Sequence, residues 1–345
     1  MENLEYPVIE ALETLTDETG MLQHAKFSII DRRKGYTTDD NARALIVALR
    51  HYGLHGDTNA LDLANLYLTF LLHMQRDDGR LHNILGFDRV FKDEVGSEDS
   101  MGRAIWATGY SMASDAPEQT RMVAKEIFDK ALPPARGFNS PRAIAFTLMG
   151  LTEYYKARGD DTNILHDVGF LADRLVRQYE LESEEGWRWF ELYLTYANAR
   201  IPEALFNAYN ATRRERYLKT ARISLDFLIE VCFIDSVFHP IGSEGWYERG
   251  GKRAMYDQQP LEANCMVGAS LEAMKITGNS KYYKTALRSF EWYLGENVCD
   301  VPLIDPDNHL CYDGITEEGL NRNQGAESTL SYMLSYLSLK EHKVI

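Results

Sequence analysis

The sequence predicts an all-α fold, an (α/α)6 toroid of six helical hairpins with short β-ribbons in the long loops of one rim, built as one domain over residues 1–345. Three observations predict it. Six times a polar loop runs into a stretch dense in small apolar residues. At the same point of each stretch one charged residue precedes a small one: Arg43-Ala44, Arg103-Ala104, Arg142-Ala143, Glu203-Ala204, Glu262-Ala263 and Glu327-Ser328. These charges stand 60, 39, 61, 59 and 65 residues apart, a period longer than that of two-helix solenoid repeats. It suits a helix pair plus one long loop.

Taken in chain order, the elements alternate. Amphipathic stretches at 7–15, 57–74, 117–132, 161–179, 214–232 and 280–294 carry apolar residues at helical spacing, with Lys, Arg and Glu on the other side. Asp57 is placed to cap the second of them. Between them, 38–52, 99–113, 140–157, 199–209, 258–276 and 323–338 are rich in Ala, Gly and Ser. Small side chains let helices approach closely, so the second set is expected to face inward. Passages after the small-residue stretches are short, as at 55–57 and 278–279. Those before them are long: 20–37, 77–97, 183–198, 233–257 and 297–322. The third pair, with only 131–139, leaves a gap in the wall and an open groove. Asp78-Gly79 and Asp313-Gly314 are hairpin-turn pairs.

Composition narrows the function classes. No Pro/Gly/Ser-rich linker divides the chain. A net charge of −15 argues against nucleic acid and anionic membranes as partners, because both select basic patches. The four cysteines (Cys232, Cys265, Cys299, Cys311) are spaced too widely for a metal knuckle or a redox pair. The first residues lack a basic and an apolar region of the secretory kind. No apolar run approaches the roughly 20 residues that span a bilayer. A cytoplasmic protein is expected.

Function is expected where long loops meet a rigid scaffold. Thr37-Thr38-Asp39-Asp40-Asn41 and Ser97-Glu98-Asp99-Ser100 each bring two adjacent carboxylates to a helix start. Asp257, between Tyr256 and Gln258, brings another. Any one acid at a helix start is as readily an N-cap, but only one residue of an adjacent pair can cap. Glycoside hydrolysis needs one protonated carboxyl and a second carboxylate, and crowded acids supply the protonated form. The catalytic candidates are Asp39, Asp40, Glu98, Asp99 and Asp257. Amides, acids and aromatic rings around one funnel resemble a sugar site. The substrate-binding candidates are His82, Trp187, Trp189, Glu191, Asn198, Arg200, Trp246, Tyr256, Gln258, Asn323 and Glu327. The six aligned charges read foremost as a buried ion-pair belt, since unpaired buried charge is costly; a sharper alternative makes Glu327 a catalytic acid.

Histidines at 24, 82, 239 and 309 lie in the long loops. The His51/His55 spacing runs through Gly53, which argues against a shared helical face, so no metal site and no cofactor are expected. Nucleotide-binding and Gly-x-Ser-x-Gly motifs are missing. Lys252 and Arg253 offer an anion-holding turn at most.

Over its whole length the chain resembles the six-hairpin glycosidase superfamily. Gln23-His24-Ala25 with Gly35-Tyr36-Thr37-Thr38-Asp39-Asp40-Asn41-Ala42-Arg43-Ala44 also looks like a little-studied bacterial and archaeal group described as glycosidase-like or glycosyltransferase-associated. The resemblance implies an (α/α)6 barrel acting on or binding carbohydrate, and a functional link to a glycosyltransferase. The leading expectation is a glycoside hydrolase of short oligosaccharides. Its rivals are a sugar isomerase or epimerase resembling the N-acylglucosamine 2-epimerase group, which needs histidines at the funnel base, and a non-catalytic glycan-binding partner.

Overall fold

The structure, a computed structural model, describes residues 4–159 and 161–345. Residues 1–3, on which the reading of the N-terminus partly rests, lie outside the described residues.

Twelve α-helices are present among the described residues. The amphipathic stretches become α1 (Val8–Thr14), α3 (Thr58–Met74), α5 (Glu118–Ala135), α7 (Thr162–Glu182), α9 (Glu215–Cys232) and α11 (Ser280–Glu291). The small-residue stretches become α2 (Thr38–His55), α4 (Glu98–Ala113), α6 (Pro141–Arg158), α8 (Arg200–Thr212), α10 (Pro260–Thr277) and α12 (Ala326–Glu341). Burial follows the two patterns. In α3 the buried positions include Ala60, Ala64, Tyr67, Leu71 and Met74, one face of a helix. In α6 every residue from Pro141 to Thr152 is buried.

The helices fall into two compact units, residues 1–168 with Ile345 and residues 169–344. In the first, α2 packs on α3 and α4, and α4 packs on α5 and α6. In the second, α8 packs on α9 and α10, and α10 on α11 and α12. The α4–α6 contact is backbone against backbone. A Cβ on Gly109 would lie 2.3 Å from the Gly150 carbonyl, and one on Gly150 would lie 2.3 Å from that of Ile105.

Helix starts in the first unit are set by hydroxyl caps. Thr37 accepts the Asp40 N–H, Ser97 that of Ser100, and Ser140 that of Ala143. The second unit works differently: α8, α10 and α12 lack side-chain caps of their own. Each has a glutamate in its first turn instead, as the helix dipole favours. Asp313 supplies what α12 lacks, accepting from Gly325 N at 2.7 Å and Ser328 Oγ at 2.9 Å. Asp313-Gly314 therefore departs from the sequence expectation. It is not the hairpin turn, because Gly314 opens a strand and the turn falls at Glu317-Glu318. Likewise, α5 continues through Pro133 and Pro134 to Ala135, beyond the expected stop at 132.

Strands are short, as expected. β1 (Ala25–Lys26) pairs with β2 (Ile29–Ile30), β6 (Phe233–Ile234) with β7 (Val237–Phe238), and β9 (Gly314–Thr316) with β10 (Gly319–Asn321). Two ladders are not hairpins. β3 (Tyr36–Thr37) pairs with β4 (Ile84–Leu85), joining the loops that lead into α2 and α4. β5 (Tyr193–Leu194) pairs with β8 (Tyr247–Glu248), joining those that lead into α8 and α10. The passage into α6, residues 136–140, has no strand.

No disulfide joins the cysteines; Cys232, Cys265 and Cys311 are buried. Among the described residues no helix is long and apolar enough to cross a membrane. Because α4 and α6 touch through glycine, Gly150→Val should destabilise the protein by about 1–3 kcal/mol, read as a lowered midpoint in urea unfolding. An unchanged midpoint would contradict the close approach.

Candidate functional site

In the first unit the expected acids sit at the starts of α2 and α4, and none of them is the N-cap. Thr37 caps α2 and Ser97 caps α4, which leaves both acid pairs in the first helical turn. Their surroundings differ sharply. Asp40 is sealed: one oxygen accepts from Thr37 Oγ1 at 2.6 Å and the other from Arg43 Nη2 at 2.8 Å, with 4% of the side chain exposed. Asp39 is 26% exposed, and Arg103 Nε lies 2.9 Å from its Oδ1. That contact is close but not aligned as a hydrogen bond, so it is an ion pair by proximity.

Arg103 has a fixed bed. Its guanidinium lies 4.2 Å from the centroid of the buried Phe146 ring, which stacks on Trp106. A cation over an aromatic face is attracted to it, more so when desolvated. Arg103 also shares a helical face with Asp99, four residues earlier. It therefore spans the seam between the α2 and α4 acids.

Glu98 has a different task from the one expected. Its Oε2 accepts the N–H groups of Asn139 and Ser140, both at 2.7 Å, and so latches the start of α6. Asp99, half-buried, accepts from Ser140 Oγ at 2.8 Å. The loop into α4 is tied to α2 in turn: Thr38 donates to the carbonyls of His82 and Asn83. His82 is held by Phe91, stacked at 3.9 Å between centroids, and its Nδ1 lies 2.9 Å from the Asp93 carbonyl.

The second unit carries its own polar cluster. Arg200 donates to Glu203 at 2.6 Å. Glu262 accepts from Ala197 N, and Asn198 Nδ2 lies 3.5 Å from it. Glu191 and Asn198 are buried. Trp187 and Trp189 present no face to solvent: they are 4% and 0% exposed, and the Trp187 indole donates to the Glu191 carbonyl. Gln258 is also interior, donating to the Met255 carbonyl and accepting from Trp292. The accessible candidates here are Trp246, Tyr256, Asp257, Asn323 and Glu327. Trp246, Asp257 and Ala197 adopt positive φ, which is costly outside glycine and gathers at working surfaces.

Three of the six aligned charges, Arg43, Arg103 and Glu203, pair locally. Arg43 meets Asp40, Arg103 meets Asp39, and Arg200 meets Glu203. The first two pairings take up acids expected to do chemistry, which alignment of the six charges did not reveal. His51 and His55, against expectation, share a face, with rings 4.5 Å apart, because α2 continues through Gly53. Among the described residues no group of three His, Cys, Asp or Glu side chains is placed to hold a metal. Arg253 donates to the Val231 and His239 carbonyls, which fixes the loop rather than freeing a cation for an anion. Lys252 is exposed.

Two measurements check this geometry. Arg43→Ala leaves the sealed Asp40 carboxylate with Thr37 alone and should cost about 3 kcal/mol in urea unfolding. His239 is pushed below the usual imidazole value by burial first and by the Arg253 charge second. The unfolded chain then binds that proton more readily, so its stability contribution is present above about pH 6.5 and lost as pH falls. His239→Phe should flatten the decline in unfolding free energy on acidification through that window.

No protein-family profile and no curated protein matches the chain. Solved structures do. A sugar epimerase from a ruminal bacterium superposes with a TM-score of 0.76 at 13% identity, covering 100% of this chain and 98% of its own. A D-mannose isomerase gives 0.74 at 14% identity, covering 96% of each. A GH76 alpha-mannanase from Bacteroides thetaiotaomicron gives 0.67 at 12% identity, covering 97% and 94%. At this level of identity the likeness is one of fold, and the chain has the (α/α)6 fold.

Proposed function

We propose that the chain is a carbohydrate-active enzyme, a glycoside hydrolase of short oligosaccharides with Asp39 and Asp99 at its reacting end. The observation that carries this reading is the contrast between adjacent acids. Asp40 is sealed by Thr37 and Arg43, whereas Asp39 reaches solvent beside Arg103. Two neighbouring carboxylates in unlike surroundings are suited to unlike roles. Asp99 is the second accessible acid, on the same α2–α4 seam, while Glu98 is taken up by the backbone of Asn139 and Ser140.

Hydrolysis would use the pair in the usual way. One carboxyl gives its proton to the glycosidic oxygen as the bond to the anomeric carbon breaks. The other takes a proton from water, whose oxygen adds to that carbon. Arg103, held by Phe146, sets the position and local field of Asp39. Ser140 orients Asp99.

A sugar isomerase or epimerase is the second reading. It is favoured by the arginines on Asp39 and Asp40 and by the epimerase and isomerase among similar structures. Against it, the even-numbered helices carry histidine only at His51 and His55, at the end of α2 away from Asp39.

A panel of di- to tetrasaccharides, followed by mass spectrometry with chromatographic separation of isomers, tests both. Cleavage supports the hydrolase, isobaric conversion the epimerase, and unchanged retention a glycan-binding protein such as a glycosyltransferase partner. Asp39→Asn should lower turnover by at least about a hundredfold while the helical circular-dichroism spectrum of the folded protein is retained. Full activity in that variant would remove Asp39 from the chemistry.

A further inference from the structure

We propose that Phe87 is the floor of a distal glycan subsite, so that the preferred substrate is a chain longer than a disaccharide. This deepens the proposed function and rests on its placement of the reacting end at Asp39.

The β3–β4 ladder provides the ruler. Tyr36 pairs with Leu85 and Thr37 with Ile84. The chain leaves β3 towards Asp39 at one end of this antiparallel ladder and leaves β4 towards Phe87 at the other. Phe87 therefore lies past Tyr36 on the side away from Asp39, roughly 10 Å along the ladder, about two sugar residues.

The ring is built as a platform. It is 44% exposed. It stacks on Tyr36 at 6.5 Å and 20°. Tyr36 is itself fully buried and cannot shift easily. Its hydroxyl donates to Asp17 at 2.7 Å and accepts from Arg89 at 2.7 Å, and Arg89 continues to Glu18. Burial raises the Tyr36 hydroxyl above the usual phenol value, which keeps its donor proton in place. The turn beneath is tight: Arg89 N donates to the Gly86 carbonyl and Gly86 N to that of Val90, with Arg89 at φ +62°.

Guanidinium groups edge the platform. Arg89 lies 5.4 Å and Arg32 5.9 Å from the ring centroid. A pyranose has an apolar C–H face and a rim of hydroxyls. The ring would cover the first, and the arginines would donate to the second. Val90 in the same turn and Ile29 in β2 are also exposed, which makes an interface with a second copy of this chain the competing occupant.

Calorimetric titration of cellobiose, cellotetraose, α-mannobiose and α-mannotetraose into the intact chain tests the subsite. At least one tetrasaccharide should bind more tightly than its disaccharide. Phe87→Ala should weaken that tetrasaccharide about tenfold and leave the disaccharide within about twofold, while Phe87→Tyr retains the difference. The subsite is overturned by equal losses at both lengths, by no loss, or by failure of both tetrasaccharides to bind. A change in sedimentation on Phe87→Ala without a change in glycan affinity would also overturn it, in favour of self-association. Because binding is read without turnover, the arms separate. If wild type cleaves nothing yet shows the Phe87-dependent preference, the hydrolase reading falls and the subsite stands.

Discussion

A charge buried near a helix start must find its counter-charge within reach of its own side chain, and this requirement organises the first unit. Arg43 and Arg103 are interior, and each is matched by an aspartate from the first turn of α2. Removing water from such ions costs several kcal/mol per group unless a partner and hydrogen bonds compensate. The arginines therefore dictate which acids remain available to a ligand. Asp40 is consumed, while Asp39 and Asp99 are held but reachable.

Regular structure was legible because it depends on local chemistry. Apolar spacing, small-residue stretches and turn signals located the twelve helices to within a few residues, since each leaves a mark of its own period. The starts of α2 and α4 could be read from Thr37 and Ser97, where a hydroxyl precedes two acids. Other features depend on partners far along the chain and leave no local mark. Nothing near Asp313 announces that it will close the start of α12. Nothing near Glu98 announces the backbone of Asn139. Trp187 and Trp189 look like a sugar platform in composition, yet they fill the space beneath their loop, while Phe87, unremarkable in sequence, stays exposed because Tyr36 backs it. Gly53 misled for the converse reason: the flanking turns of α2 hold helical geometry through it, and His51 and His55 meet.

The two units reach a similar end by different means. In one, hydroxyl caps, three aspartates and the arginines Arg43 and Arg103 surround the helix starts; in the other, helices without side-chain caps of their own carry first-turn glutamates, one of them paired with Arg200. In both, a two-residue ladder joins successive lead-in loops. Such ladders contribute little stability alone, yet they fix the register in which polar side chains are presented.

The latch from Glu98 to Asn139 and Ser140 has a wider consequence. It couples the beginning of α6 to that of α4, while Thr38 couples α2 to the loop before α4. Three consecutive hairpins are thereby clamped in series, each start orienting the one before or after it. During synthesis, the start of α4 cannot reach its final arrangement until Asn139, Ser140 and α6 have emerged and docked.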